Sequence, residues 1–519
     1  MHRTLFSKLS RTLTTFPFRC FASVTTAFEQ SVDQFPSLII GRSIQPVGSF
    51  AEAQALYLDP DPVAVKELAE LLEKAKLGVV AHYYMDVELQ GVLQAVQRSH
   101  PAVGIADSLK MGDMAVEMMQ SGRVEQIACL GVDFMSESVQ SILHKNGFEQ
   151  VPVYRATANK IGCSLAESAE RAVYRAWLEK ESAAANSLHV VYINTSLETK
   201  AISSSLVPTI TCTSSNVLAT ILQAYAQVPD IKILYGPDTY MGENLVILLT
   251  ALLQDPAWND QKIAKDLHPN HNRETLRGLR DSIAVFPSGN CIVHHMFGDA
   301  VVDTVRSKYY DDCFITAHLE VPGEMFQMAM EKSLSDEGVV GSTSDILKFV
   351  SRKVKDASMK PDPKRLKFIL GTEAGMVTSI VQSVQNILAD APNPSIEAEI
   401  IFPVASEAMT GTGDIDMPLV PGVSGGEGCS TSGGCATCPF MKMNSLDSLM
   451  QVAEMVLQAP TSSSVQSQLQ QHLPPARLQG KSIQGRPAID WGTESILYMR
   501  SFMQDNRLPD ELVRKIMRN

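Results

Sequence analysis

The segment GGEGCSTSGGCATCPFMKMN, residues 425–444, sets Cys429, Cys435 and Cys438 in a Gly/Ser-rich loop. Thiols so spaced can close a disulfide, hold a metal, or exchange electrons as a CxxC pair. The C-x5-C-x2-C pattern offers too few ligands for a closed zinc site, and no histidine lies nearby. A thioredoxin-like use of Cys435 and Cys438 lacks a surrounding redox fold. Any metal site therefore needs further ligands from distant parts of the chain.

The elements that would bring them follow a strand–helix rhythm. Apolar runs at LGVVAHYY (77–84), AVGIADSL (102–109), IACLGVDFM (127–135) and VPVYRA (151–156) alternate with helical patterns such as DMAVEMMQSG. A second group holds HVVYINTS (189–196), PTITCTSSN (208–216), IKILYGPD (231–238) and DSIAVFPSG (281–289). A third holds DCFITAHLE (312–320), EGVVGSTSD (337–345), LKFILGTEAG (366–375) and AEIIFPVAS (398–406). Unbroken apolar runs suit parallel strands buried on both faces. The expected class is α/β: three small domains of similar design, each a four-stranded parallel sheet flanked by helices. The expected divisions are a leader at 1–28, an N-terminal extension at 29–76, domains at 77–164, 165–291 and 292–424, and a ligand loop with C-terminal helices at 425–519.

Nearly every run ends in a polar tip: His82 and Tyr84, Ser108, Asn194, Ser214, Asp238, His318 and Glu320, Ser342 and Thr343, Glu373. Ligands of open parallel sheets sit outside the carboxyl ends of the strands, so one shared central site is expected. The cysteines sort by the same scheme. Cys129, Cys212 and Cys313 lie in or beside strand runs and read as small buried hydrophobes. Cys163, Cys291 and the 429–438 cluster each follow the fourth strand of a group. Three domains about one axis would bring three thiols together. Zinc completed by a water suits three thiolates, and so does a 4Fe–4S cluster with one iron unligated by protein. Spacing alone does not separate the two.

From about Gly41 onward the chain resembles quinolinate synthase, especially the plant-type enzymes. The resemblance rests on GVVAHYYMD, IADSL, LGVDFMSESV, HVVYINTSLETKA, PTITCTSSN, GPDTYMG, CIVHHMF, TAHLEVPGE, VVGSTSDI, FILGTEAGMV and CATCPFMKMN. It implies three pseudo-symmetric α/β domains around a central 4Fe–4S cluster held by three cysteines. It implies condensation of iminoaspartate with dihydroxyacetone phosphate to quinolinate, phosphate and water, the step that builds the pyridine ring of NAD. Bacterial members carry a cysteine directly before their GV-x-FM motif, where this chain has Leu130, with Cys129 one residue early. A one-residue shift turns a strand side chain to the other face. Plant-type members use the cysteine of IGCSLA, here Cys163, and the family ligand before Pro-x-Met is Cys438. The implied ligand set is thus Cys163, Cys291 and Cys438, with Cys429 and Cys435 bystanders or a redox pair. Some plant enzymes also carry an N-terminal sulfur-transfer domain, and this chain is expected to act without one. Iron–sulfur assembly proteins would then build the cluster, and L-aspartate oxidase would supply iminoaspartate.

Dehydration also needs a positioned base and acid. Glu320 is the expected base, with His318 two residues away on the same strand face. The resemblance implies that Tyr84 helps isomerise the triose and that His82 contacts substrate. Tyr192 and Asn194 share one strand face and are expected to orient the dicarboxylate. Ser108, Ser214, Ser342 and Thr343 offer hydroxyls and N–H groups at helix starts, suited to phosphate and carboxylate. Lys442 supplies a counter-charge. Two other classes fit the same residues: another 4Fe–4S hydro-lyase, and a non-enzymatic iron–sulfur carrier. A carrier has no need of the HLE, YIN and GST tips.

Composition bounds these readings. The 519 residues are 45% hydrophobic and 19% charged, ordinary for a globular protein of several domains. A net charge of −13 argues against a nucleic-acid partner. No run approaches the roughly 20 apolar residues of a membrane span, so a soluble mature protein is expected. Residues 1–28 carry Arg3, Lys8, Arg11 and Arg19, no acid, and many Ser and Thr. That reads as an organellar transit peptide. RCF before ASV resembles a mitochondrial processing site, with a plastid address as its rival. Cys20 would leave with the leader, and in a reducing matrix the other eight of nine cysteines favour metal or catalysis over disulfides.

Overall fold

The computed structural model describes residues 35–183, 186–291, 293–294, 297–393, 395–404 and 437–518. The leader, Cys20, Cys429 and Cys435 lie outside the described residues. Two short strands come first, β1 (Ser37–Ile40) and β2 (Ile44–Val47). The first predicted group then forms β3 (Leu77–His82), β4 (Val103–Ala106), β5 (Gln126–Leu130) and β6 (Val153–Arg155). The second forms β7 (Ser187–Tyr192), β8 (Thr209–Cys212), β9 (Lys232–Gly236) and β10 (Ile283–Val285). The third forms β11 (Phe314–His318), β12 (Gly338–Gly341), β13 (Lys364–Gly371) and β14 (Ile396–Ile401).

These strands build three sheets, ordered β4-β3-β5-β6, β8-β7-β9-β10 and β12-β11-β13-β14-β1-β2. In each, the second strand of the group pairs with the first, the first with the third, and the third with the fourth. All of these pairings are parallel. Parallel strands covered by helices on both faces have no polar side, which explains LGVVAH in β3 and SLHVVY in β7, buried at every position. One apolar core runs continuously through all three sheets.

The third sheet corrects the expectation of four strands in each. It has six, because β1 pairs antiparallel with β14, Ser37 facing Ile401, and β2 pairs antiparallel with β1. Residues expected in an N-terminal extension thus belong to the third sheet. The reason is burial. Leu38 and Ile40 are fully buried, worth about 1.5–3 kcal/mol each, and they cover an edge that β14 would otherwise leave unpaired. β2 becomes the new edge, mostly exposed, and there Pro46 is tolerated because an edge strand can lack one N–H.

The loops that follow the sheets are tied down by long-range contacts. Arg155, the last residue of β6, uses all five of its N–H donors. It reaches Asp133 Oδ1 (2.8 Å) and the carbonyls of Ala158, Asn159, Gln471 and Leu473. Asp133 opens the helix Asp133–Lys145, and its carboxylate also accepts from the Ile161 N–H. The segment leading to Cys163 is therefore stapled to the sheet from both ends. The long helix Ala488–Asp505, the last but one in the chain, packs on the helix Leu197–Leu206 and on β8. Among the described residues no helix is long and apolar enough to cross a membrane.

The Arg155–Asp133 pair is buried on both sides. Arg155→Met leaves the Asp133 carboxylate buried without its partner and should cost roughly 3–5 kcal/mol, read from urea unfolding. A loss under about 1 kcal/mol, the range of an exposed pair, would show that this join carries little weight.

Candidate active site

The carboxyl ends of the three sheets line one cavity of about 790 Å³, part of it continuous with solvent. Each sheet contributes by the same rule. The first strand of each group ends on a site residue and presents another two residues on: His82 and Tyr84 after β3, Tyr192 and Asn194 after β7, His318 and Glu320 after β11. Glu320 therefore sits in the turn beyond β11 rather than on the strand itself. The second strand of each group leads to a hydroxyl at or just before a helix: Ser108, Ser214 in the turn ahead of the helix Val217–Gln227, and Ser342 with Thr343. The fourth strand leads to a thiol: Cys163, Cys291 and, beyond residues 405–436, Cys438. All thirteen sequence-predicted site residues line the cavity. Lys442 is not among the lining residues, but its charge reaches Glu373.

The same device orients two imidazoles. His82 Nδ1 accepts the Tyr84 N–H at 3.2 Å, and His318 Nδ1 accepts the Glu320 N–H at 3.3 Å. In a neutral ring the proton then resides on Nε2. Burial lowers both imidazoles to about 4, against the raising effect of Glu320. Both rings are thus uncharged donors at neutral pH, and His318 Nε2 lies 3.2 Å from Ser214 Oγ.

Glu320 is 2% exposed. Burial pushes its carboxyl up, but the adjacent His294 and His318 and a hydrogen bond from the Tyr192 hydroxyl outweigh it. The group is held low, at about 2. It is ionised at neutral pH. Tyr84 OH pairs with Thr343 Oγ1 at 3.0 Å. Ser342 caps the helix Thr343–Ser358 reciprocally with Asp345, so its hydroxyl serves the fold as well as the cavity wall.

The lining also includes His294, which the expected site did not name, and Glu373, named there only as a strand tip. His294 Nδ1 lies 3.3 Å from Glu320 Oε2, and its ring stacks on His318 with centroids 5.0 Å apart. Its Nε2 is buried without a hydrogen-bond partner among the described residues. Glu373 is the other. Its Oε1 accepts the Cys438 N–H at 2.6 Å, and burial pushes its carboxyl well above the ordinary range. Of the lining carboxyls, Glu320 is thus held ionised and Glu373 protonated, the division of labour that acid–base chemistry uses. The signals were present: His294 stands three residues after Cys291, and Glu373 closes a strand run.

The thiols carry protons as they stand. Burial raises Cys163 to about 11 and raises Cys291 and Cys438 well above the ordinary thiol range. Cys291 also feels the other two, and Cys438 feels Cys163, as neighbours in one cavity do. Metal binding would replace these protons. The donor set is soft thiols, imidazole and carboxylate, with Val132, Phe134, Met135, Ile193, Val293 and Met441 supplying apolar wall, and it fits an iron–sulfur or thiolate-bound centre. Cys291, His294 and Glu320 also have ligand atoms within 4.8 Å of one another, close enough for a single ion. Cys129 is buried within β5 and does not line the cavity.

Parallel sheets that direct thiols, imidazoles and carboxyls from their strand ends into one buried cavity define an α/β protein built around a metal-competent polar site. A family profile described as "NadA: Quinolinate synthetase A protein" matches residues 66–409. A chloroplastic quinolinate synthase of Arabidopsis thaliana is 48% identical over 498 residues, 94% of this chain and 68% of its own length. One of Nicotiana tabacum is 49% identical over 494 residues, 93% of this chain and 67% of its own. One of Oryza sativa is 46% identical over 505 residues, 93% of this chain and 69% of its own. The chain belongs to the quinolinate synthetase A family.

In metal-free protein, imidazole NMR should find His82 and His318 neutral with the proton on Nε2 at about pH 5.5, where an exposed histidine near 6.5 is mostly charged. Titration of either ring close to 6.5 would contradict the burial described for it.

Proposed function

We propose that this chain is a quinolinate synthase, condensing iminoaspartate with dihydroxyacetone phosphate to quinolinate, phosphate and water. The observation that carries the reading is the convergence of Cys163, Cys291 and Cys438, one thiol after the last strand of each group, on a cavity that also holds Glu320. We infer that these three thiolates hold a 4Fe–4S cluster. When bound, an iron free of protein ligands supplies Lewis acidity toward a substrate hydroxyl or carboxylate. The repeated strand order and the repeated order of tips support three pseudo-symmetric domains, close to 77–164, 165–291 and 292–424, about this centre. Ligands of one zinc, each about 2.3 Å from the metal, lie within about 4 Å of one another. The three thiols are not among the groups that meet within 4.8 Å, which favours a larger body than one ion.

The chain's own residues would do the rest. Tyr192 and Asn194 orient the dicarboxylate. Ser108, Ser214 and Thr343 bind phosphate or carboxylate with hydroxyls and N–H groups at helix starts. Tyr84, paired with Thr343, serves the triose, and His82 holds it with its Nε2–H. Glu320 takes a proton on its carboxylate and passes it on. Tyr192 and His294 flank its two oxygens, and the carboxylate stands ionised and free to accept a proton. His318 donates to a developing oxyanion from Nε2. The apolar wall limits water. The chloroplastic names of the plant relatives favour a plastid for this chain too. An L-aspartate oxidase and iron–sulfur assembly proteins would complete its surroundings.

Anaerobically reconstituted protein should contain iron and sulfide at about four each per chain, as a 4Fe–4S centre requires. Cys163→Ser, Cys291→Ser and Cys438→Ser should each lose the cluster, while Cys129→Ser keeps it. Retention by Cys163→Ser and loss by Cys129→Ser would reverse the ligand assignment. Stoichiometric zinc without iron would replace the cluster by one ion on Cys291, His294 and Glu320.

Glu320→Gln preserves size and removes the basic oxygen. It should keep the iron and bind substrate, yet form quinolinate roughly a hundred- to ten-thousand-fold more slowly. Quinolinate formed per cluster, beside an iron count, measures this. A rate within about threefold of wild type would remove Glu320 as the proton acceptor.

A further inference from the structure

Lys200 is a charged side chain with 0% exposure. It lies one turn into the helix Leu197–Leu206 and does not line the cavity. A buried ammonium is costly unless fully partnered. Its Nζ donates to the Ile193 carbonyl at 3.0 Å, to the Thr195 carbonyl, and to Thr195 Oγ1 at 2.9 Å. An ammonium has three N–H donors, and here all three close on one bend. That bend carries Asn194, whose neighbours on both sides Lys200 grips. It is tied back to β7 as well: Thr195 Oγ1 donates to the Tyr192 carbonyl at 3.0 Å, and the Thr195 N–H to the Ile193 carbonyl at 2.7 Å. Tyr192 in turn bonds Glu320 through its hydroxyl. Glu137 secures the helix start, its Oε2 accepting the Leu197 N–H at 2.8 Å. Its charge opposes the burial that draws the Lys200 ammonium down.

We infer that Lys200 is a positioning residue for the dicarboxylate subsite: by clamping the Ile193–Thr195 bend it sets where Asn194 and Tyr192 meet substrate. This rests on reading the cavity as a dicarboxylate site. Substrate-holding groups must stay within about 0.5 Å of their working positions. Without the clamp, the Thr195 carbonyl loses its Lys200 donor and the Ile193 carbonyl keeps only the Thr195 N–H, so the bend is freed to turn and carry Asn194 with it.

Lys200→Met keeps the length and the apolar stem and removes the donors. In cluster-loaded enzyme it should leave iron and sulfide content unchanged. It should raise KM for iminoaspartate roughly ten- to a hundredfold and leave KM for dihydroxyacetone phosphate within about twofold. A lysine that merely holds the fold would move both KM values together, so an equal rise in both, or none in the first, overturns the inference. If Lys200→Met fails to fold, Thr195→Val removes, at constant shape, the hydroxyl that links the Lys200 ammonium to the Tyr192 carbonyl. It should raise the same KM alone, by roughly threefold or more, and an unchanged value overturns the inference too. Calorimetric titration with quinolinate separates the two readings. Absence of binding by the wild type sinks the dicarboxylate site itself. Equal binding by wild type and Lys200→Met sinks only the positioning role.

Discussion

The guanidinium of Arg155 joins three parts of the chain that share no local sequence: the end of the first sheet, the loop to Cys163 and the C-terminal segment 471–473. Its planar fork has five donors in fixed directions, and each finds an acceptor. A lysine, with three donors at one point, could not reproduce that pattern. Desolvating such a pair yields little net stability against an apolar alternative; its contribution is directional. It fixes where the polypeptide leaves β6, and thereby where the first thiol arrives.

Geometry and proton chemistry then reinforce one another. The same burial that neutralises His82 and His318 keeps Glu373 protonated and the three thiols unionised. Glu320 is the exception because Tyr192 and two imidazoles surround it. Among these groups the Glu320 carboxylate alone carries a charge, and it stays available to take a proton.

Much of this was legible in one dimension, for a physical reason. Parallel strands buried on both faces leave unbroken apolar runs, and their ligand-facing ends must turn polar, so the twelve core strands and thirteen site residues share a single visible pattern. What escaped was decided across the sheets. β1 and β2 are four residues each and gain their meaning only from the edge of β14. Arg155 reads as the polar end of VPVYRA, and nothing nearby in sequence reveals acceptors at Gln471 and Leu473. Lys200 looks like an ordinary helix lysine in SLETKA until its helix packs the side chain under the preceding bend. His294 gains its meaning only from β11, where its ring stacks on His318.

The N-terminal hairpin has a consequence for how the chain comes together. Ser37 leaves the ribosome early, yet its partner Ile401 is made only after all twelve core strands but the last have been completed. Until then β1 and β2 have no strand to pair with beyond each other. A polypeptide threaded through an organelle membrane from its N-terminus would be in the same position. Its leading segment would wait inside for the rear of the third sheet, and only closure of that long loop would seal the edge against pairing with other chains.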